Sequence, residues 1–157
     1  MSDGYSARVT VANLLIMVRH GGWTAAARCL DSLVATDSSS GRRLRSILTE
    51  LIDLAATLVL SGATPIDDNE VFELDVRGED ESLVDIDLLE PPLRATMRAL
   101  LAKVNGCPAD TADQIDLVLV AGPMAGAEAV LTVLQWTDNL LRWCRRNNIA
   151  TPNWIAA

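Results

Sequence analysis

The sequence predicts a mainly α-helical single domain: a helical bundle of about six helices with a small acidic β-hairpin between two helical halves. Three observations lead there. Apolar residues recur at helical spacing towards both ends of the chain, from Val11 to about Leu60 and again from Leu93 to Asn147. The period falls to two between Phe72 and Leu88, the repeat of a strand. Glycine and proline pairs punctuate the pattern at Gly21-Gly22, Pro91-Pro92 and Gly122-Pro123. With 157 residues, half of them apolar, the chain has the length of one domain and buries about 70% of its extended surface without help from metals or disulfides. The expected parts are a helical half over 1–62, an acidic hairpin segment over 67–90, a second helical half over 91–148 and a docked tail over 149–157.

In the first half, Val11 to Val18 is nearly unbroken apolar sequence, which predicts a helix buried on several sides and stopped by Gly21-Gly22, with His20 in its last turn. Trp23, Ala26, Ala27, Leu30, Leu33 and Val34 then follow helical spacing while Arg28, Asp31 and Ser32 fall opposite, an amphipathic helix. Ser38 to Gly41 reads as a turn rich in capping residues. Leu44, Ile47, Leu48, Leu51, Ala55 and Leu58 continue the stripe to about Leu60, where Gly62 and Pro65 end it.

In the hairpin segment Phe72, Leu74 and Val76 alternate with Glu73, Asp75 and Arg77, and Val84, Ile86 and Leu88 alternate with Asp85 and Asp87. The register follows from the apolar set. Pairing Val76 with Val84 also pairs Asp75 with Asp85, Leu74 with Ile86 and Phe72 with Leu88, whereas a slip of one residue opposes every apolar side chain to a polar one. The hairpin then has one apolar face and one acidic face of Glu73, Asp75, Asp85 and Asp87.

The second half opens on Glu90-Pro91-Pro92, a helix start, and Leu93, Met97, Leu100, Leu101 and Val104 form a stripe that Gly106 ends, with Arg94 and Arg98 sharing another face. Thr111 with Gln114 fits a capping box, and Ile115 to Ala121 reads as helix although a short buried strand has the same pattern. The longest helix is expected from Met124 to Asn147, where Gly122 and Gly126 have the spacing of close helix packing. Arg142, Arg145 and Arg146 suit its C-terminus.

Charge narrows the function. Residues 67–90 carry 11 of the 21 acids and one base, a net charge of −10, and the rest of the chain sums to +2, so the molecule's −8 is a local feature. Such acidity disfavours nucleic acid and membrane surfaces as partners, because phosphate contacts need clustered bases. Like charges opposed on a strand face are answered by solvent, by the protein's own arginines (Arg42, Arg43 and Arg45, or Arg142, Arg145 and Arg146), or by a basic partner. Asp85-x-Asp87 is a poor cation site, since flat strands do not wrap an ion that wants six or more oxygens.

Three isolated cysteines and one histidine make neither a zinc set nor a catalytic set, and no phosphate-binding glycine motif is present. No cofactor, metal or catalytic residue is expected, and the reduced cysteines and the polar N-terminus fit a cytoplasmic protein. The surplus apolar residues Trp136, Leu140, Trp143, Trp154 and Ile155 predict self-association, most simply a homodimer.

The stretch Leu14 to Leu30, LLIMVRHGGWTAAARCL, resembles the first helix and second-helix start of LysR-type winged-helix DNA-binding domains. The resemblance implies a recognition helix after a short turn, with Arg42, Arg43 and Arg45 as phosphate contacts. This chain departs from it, because the second helix runs on through LDSLVATDSSSGRRLR and the turn comes late. The expectation is therefore a non-enzymatic protein-protein interaction or regulatory adaptor protein, with a basic protein or a second copy as partner. A helix-turn-helix DNA-binding regulator and a small-molecule-binding helical bundle are the alternatives.

Overall fold

The computed structural model describes residues 2–35, 39–63 and 71–155, including every side chain there except those of residues 2, 3 and 5. Among the described residues six α-helices are present: α1 (Ser2–Gly21), α2 (Trp23–Ala35), α3 (Ser40–Gly62), α4 (Pro91–Val104), α5 (Pro108–Val120) and α6 (Pro123–Arg146). An antiparallel hairpin of β1 (Val76–Arg77) and β2 (Leu83–Val84) separates the two helical halves, and 78% of the described residues are helical. Ser38 of the expected turn, Pro65, the acids Asp67, Asp68 and Glu70, and the last two tail residues lie outside the described residues.

The third helix is the axis of the bundle and packs against every other helix. Its sequence explains why: Leu44, Ile47, Leu48, Leu51, Ile52, Leu54, Ala55, Ala56 and Leu58 are all buried, a stripe too wide for one neighbour to cover. Side chains such as Leu48 and Leu51 are wholly buried, each contributing about 1.5–3 kcal/mol of transfer free energy. Leu44 touches Gly126 near the start of α6, and Trp143 near its end lies over Gly62, so α3 and α6 run parallel. At buried Gly126 a side chain would press on Leu44 and Leu119, the close packing expected there, whereas Gly122 meets no neighbour and serves the backbone turn instead.

Two helices differ from their expected form. The first begins at Ser2, well before the apolar run, and it buries one face rather than several: Ala7, Val11, Leu14, Leu15 and Val18 face the core while Val9 and Ile16 remain exposed. Gly22, at φ 78°, makes the turn into α2. The fifth helix is a helix throughout Ile115 to Val120 and starts earlier than the capping box suggested. Pro108 fits its first turn, where a missing N–H costs nothing, and Thr111 donates to the Cys107 carbonyl at 3.0 Å instead of capping. The break between α5 and α6 falls at Gly122, whose φ of 114° and ψ of 170° suit only glycine. No described helix is long and apolar enough to cross a membrane.

The tail folds back on its own chain. Ile155 is buried, Trp154 packs against the core, and the Arg8 guanidinium sits 5.8 Å from the centroid of the Trp154 ring.

Candidate functional site: an acidic strap on the fourth helix

Residues 71–90 form a strap across α4. The hairpin at its middle has the register read from the sequence, with Val76 opposite Val84 and Arg77 opposite Leu83. Its turn closes through Gly78 N to Ser82 O at 2.9 Å and Glu81 N to Gly78 O at 3.0 Å. Asp80 Oδ1 accepts from the Ser82 hydroxyl at 2.6 Å and from the Ser82 amide at 3.2 Å. These bonds, the hydroxyl's first, hold the Asp80 carboxyl below its ordinary value of 3.8.

The ladder stops after two residue pairs, so the expected pairings of Asp75 with Asp85, Leu74 with Ile86 and Phe72 with Leu88 are not made. Side chains take the strand partner's place on both sides, a local one on one limb and a distant one on the other. Asp85 accepts from the Asp87 amide at 2.9 Å and winds Ile86–Leu88 into a single 3-10 turn. On the other limb, Asn105 at the end of α4 imitates a strand edge: its Oδ1 accepts from Phe72 N at 2.8 Å and its Nδ2 donates to Phe72 O at 3.1 Å and to Leu101 O at 3.0 Å. Both backbone groups of Phe72 are satisfied without a β-partner.

The second anchor lies near the other end of α4. Arg94 Nη1 donates to the Asp87 carbonyl at 2.9 Å, and Arg98 Nη2 pairs with Asp87 Oδ1 at 2.6 Å. The helix length between Arg94 and Asn105 sets these anchors roughly 16 Å apart. The arginines that meet the strap are thus those of the helix beneath it, and neither of the two arginine groups that the sequence offered beside solvent and a basic partner. Arg45 instead pairs with Asp116, and Arg142 holds buried Asp138 at 2.7 Å.

Of the four acids expected on one face, Asp87 is tied to Arg98, and Glu73, Asp75 and Asp85 stand exposed. Among the described residues these three, with Glu79, Asp80 and Glu81, have no ion-pair partner. The apolar set divides as well. Phe72, Val76, Val84 and Ile86 turn inward, but Leu88 is 81% exposed, Val71 73% and Leu83 65%, so the outer surface mixes leucines with carboxylates.

The residues expected to carry self-association serve the chain's own fold in part. Trp136, Leu140 and Trp154 are half-buried against the core and Ile155 is buried, which leaves Trp143, 42% exposed, as the outward-facing member. Arg42 and Arg43 are exposed at the start of α3, and the rest of that helix is the buried axis of the bundle. Sequence reasoning missed Asn105, Arg94 and Arg98 as parts of the strap. It also missed the exposed corner of Leu117, Val120 and Met124 between α5 and α6.

Comparison of the chain with protein-family models, with curated proteins and with solved structures gives no match.

Proposed function

We propose that the chain is a non-enzymatic interaction or adaptor protein whose strap receives a basic, amphipathic protein segment. The observation that carries this reading is the coincidence, on one anchored strap, of outward-facing Val71, Leu83 and Leu88 with carboxylates that no described cation pairs. Solvation accounts for carboxylates alone. Leucines held out among them are the apolar centre of an interface with a charged rim, and the charge steers and orients a cationic partner. A strap already held at both ends gives up little further conformational freedom on binding.

The test is a pull-down from the source cells with the natural chain and two variants. One carries Glu73→Gln, Asp75→Asn and Asp85→Asn; the other carries Leu83→Ser and Leu88→Ser. Both variants are expected to lose the same partners, and capture by the natural chain is expected to weaken as salt rises. Unchanged partners at unchanged yield in both variants would mean that the strap only keeps the protein in solution.

Self-association is the second reading, favoured by the exposed Trp143 ring on α6. It predicts a dimer mass at micromolar concentration that Trp143→Ser converts to a monomer. A monomeric natural chain removes it.

A further inference from the structure

A second constellation lies on the flank of α3 that faces α1 and α2. A cavity of about 400 Å3 opens there, within the size range of small-molecule sites. Arg42 and Arg43 line it together with the hydroxyls of Thr10 and Ser46 and the apolar side chains of Leu33 and Ile47.

The arginines differ from their neighbours. Arg8 pairs with Glu50 at 3.1 Å and Arg45 with Asp116, yet among the described residues Arg42 and Arg43 have no carboxylate partner. With no described carboxylate paired to either, the two arginines place a doubly positive spot on a chain of net charge −8. They sit in the first turn of α3, where the first intrahelical bond runs from Arg43 N to Ser39 O at 3.1 Å.

The hydroxyls specify the rest of the ligand. Thr10 Oγ1 donates to the Ser6 carbonyl at 2.9 Å and Ser46 Oγ to the Arg42 carbonyl at 3.1 Å, so each has spent its proton and is left as an acceptor. Acceptors beside two guanidiniums fit a ligand that is anionic at one end and rich in O–H donors at the other. We propose that this cavity binds a small phosphate monoester of a hydroxylated carbon skeleton, its phosphoryl group on Arg42 and Arg43 and its hydroxyls on Thr10 and Ser46. Arginine's planar fork matches phosphate oxygens in pairs. A nucleic-acid duplex fits less well, because Arg45 is tied to Asp116 and Arg42 and Arg43 line a cavity rather than a ridge.

The test is a calorimetric and NMR titration of the full chain with glucose 6-phosphate, glucose and inorganic phosphate. Glucose 6-phosphate is expected to bind saturably, with amide shifts concentrated in residues 6–10 and 39–47, inorganic phosphate to bind more weakly, and glucose not at all. The double variant Arg42→Gln, Arg43→Gln weakens binding about tenfold or more, whereas Arg145→Gln, Arg146→Gln, an equal charge change at exposed positions of α6, leaves it unchanged. Absence of saturation, equal affinity in the Arg42, Arg43 variant, or shifts confined to other residues overturns the proposal. The location of the shifts in the natural chain decides even where a variant fails to fold. Glucose 6-phosphate binding no tighter than inorganic phosphate removes the organic half of the ligand. Duplex DNA retained through Arg42 and Arg43 without glucose 6-phosphate binding would replace the reading with a nucleic-acid contact.

Discussion

Asn105→Ala is the sharpest perturbation of the strap. The side chain makes three hydrogen bonds, to Phe72 N, Phe72 O and Leu101 O, in a partly buried setting. Each is worth about 0.5–1.5 kcal/mol net, and water partly replaces them once the strap lifts, so the expected cost is roughly 2 kcal/mol. That corresponds to about a 30-fold rise in the population of a locally opened strap. Hydrogen exchange reads it residue by residue: the Phe72 amide should exchange roughly 30-fold faster in the variant, while amides of α3 such as Leu51 change little, since the buried face of that helix leans on other helices. Asn105→Asp refines the test. It keeps an acceptor for Phe72 N but turns a carboxylate towards two carbonyls, so it should loosen the strap at least as much as alanine does. A Phe72 amide that is unprotected in the natural chain, or equally protected in Asn105→Ala, would refute the anchor and with it the view of residues 71–90 as a preformed surface.

Other outcomes follow from single contacts. Gly62→Ala sets a methyl group inside the Trp143 ring at an ordinary backbone conformation, so the clash works against alanine's better helix propensity; the net cost should be about 1–3 kcal/mol and vanish in a Trp143→Ala background, as a double-mutant cycle would show. Ser82→Ala should return the Asp80 carboxyl towards 3.8 in an NMR titration. Since the folded value is the depressed one, the turn's contribution is present above pH 3.8 and lost as the pH falls through the folded value, and unchanged titration in the variant would exclude the Ser82 hydroxyl as the main cause. Burial raises the Cys144 thiol above 9.0, so its contribution is full below that pH and lost as the pH climbs through the folded value. A thiol reagent at neutral pH should label exposed Cys107 first and Cys144 only on unfolding; early labelling of Cys144 would contradict its burial.

The helices were legible because their apolar residues recur at the spacing that one buried face demands. This holds best for α3, where every residue of the expected stripe is buried. The N-terminal half of α1 was not, since residues 2–10 are mostly polar and carry no continuous stripe. The hairpin shows where periodicity stops being informative. Alternation from Phe72 to Val76 reports an extended backbone but not what satisfies it, and here an asparagine side chain 33 residues away does so. On the other limb the same alternation covers Ile86 to Leu88, yet Asp85 offers its own carboxylate to the Asp87 amide and the chain turns. Asparagine at the end of a helix has too many ordinary uses for Asn105 to have stood out. The pairing of Asp87 with Arg98 had a weak signal, because Arg94 and Arg98 lie one turn apart on a helix that follows the acidic segment directly.

The two anchors also decide which acids report on a partner. Asp87 is already neutralised by Arg98, so removing its charge frees a guanidinium beneath the strap and alters the surface by more than one lost carboxylate. Its effect on binding would mix a local rearrangement with a change of field. Asp85 is the cleaner probe, because asparagine keeps the oxygen that accepts from the Asp87 amide and removes only the charge. Glu73 and Asp75 carry no ion pair among the described residues, so their amides are isosteric and structurally silent. If the strap binds a cationic partner, Asp85→Asn, Glu73→Gln and Asp75→Asn should each weaken it through the association rate and its salt dependence, with little effect on melting. Asp87→Asn should instead shift melting slightly, by no more than the ~1 kcal/mol of an exposed pair. A partner that responds to Asp87 alone would place the contact at the Arg98 end of α4 and leave the hairpin outside the interface.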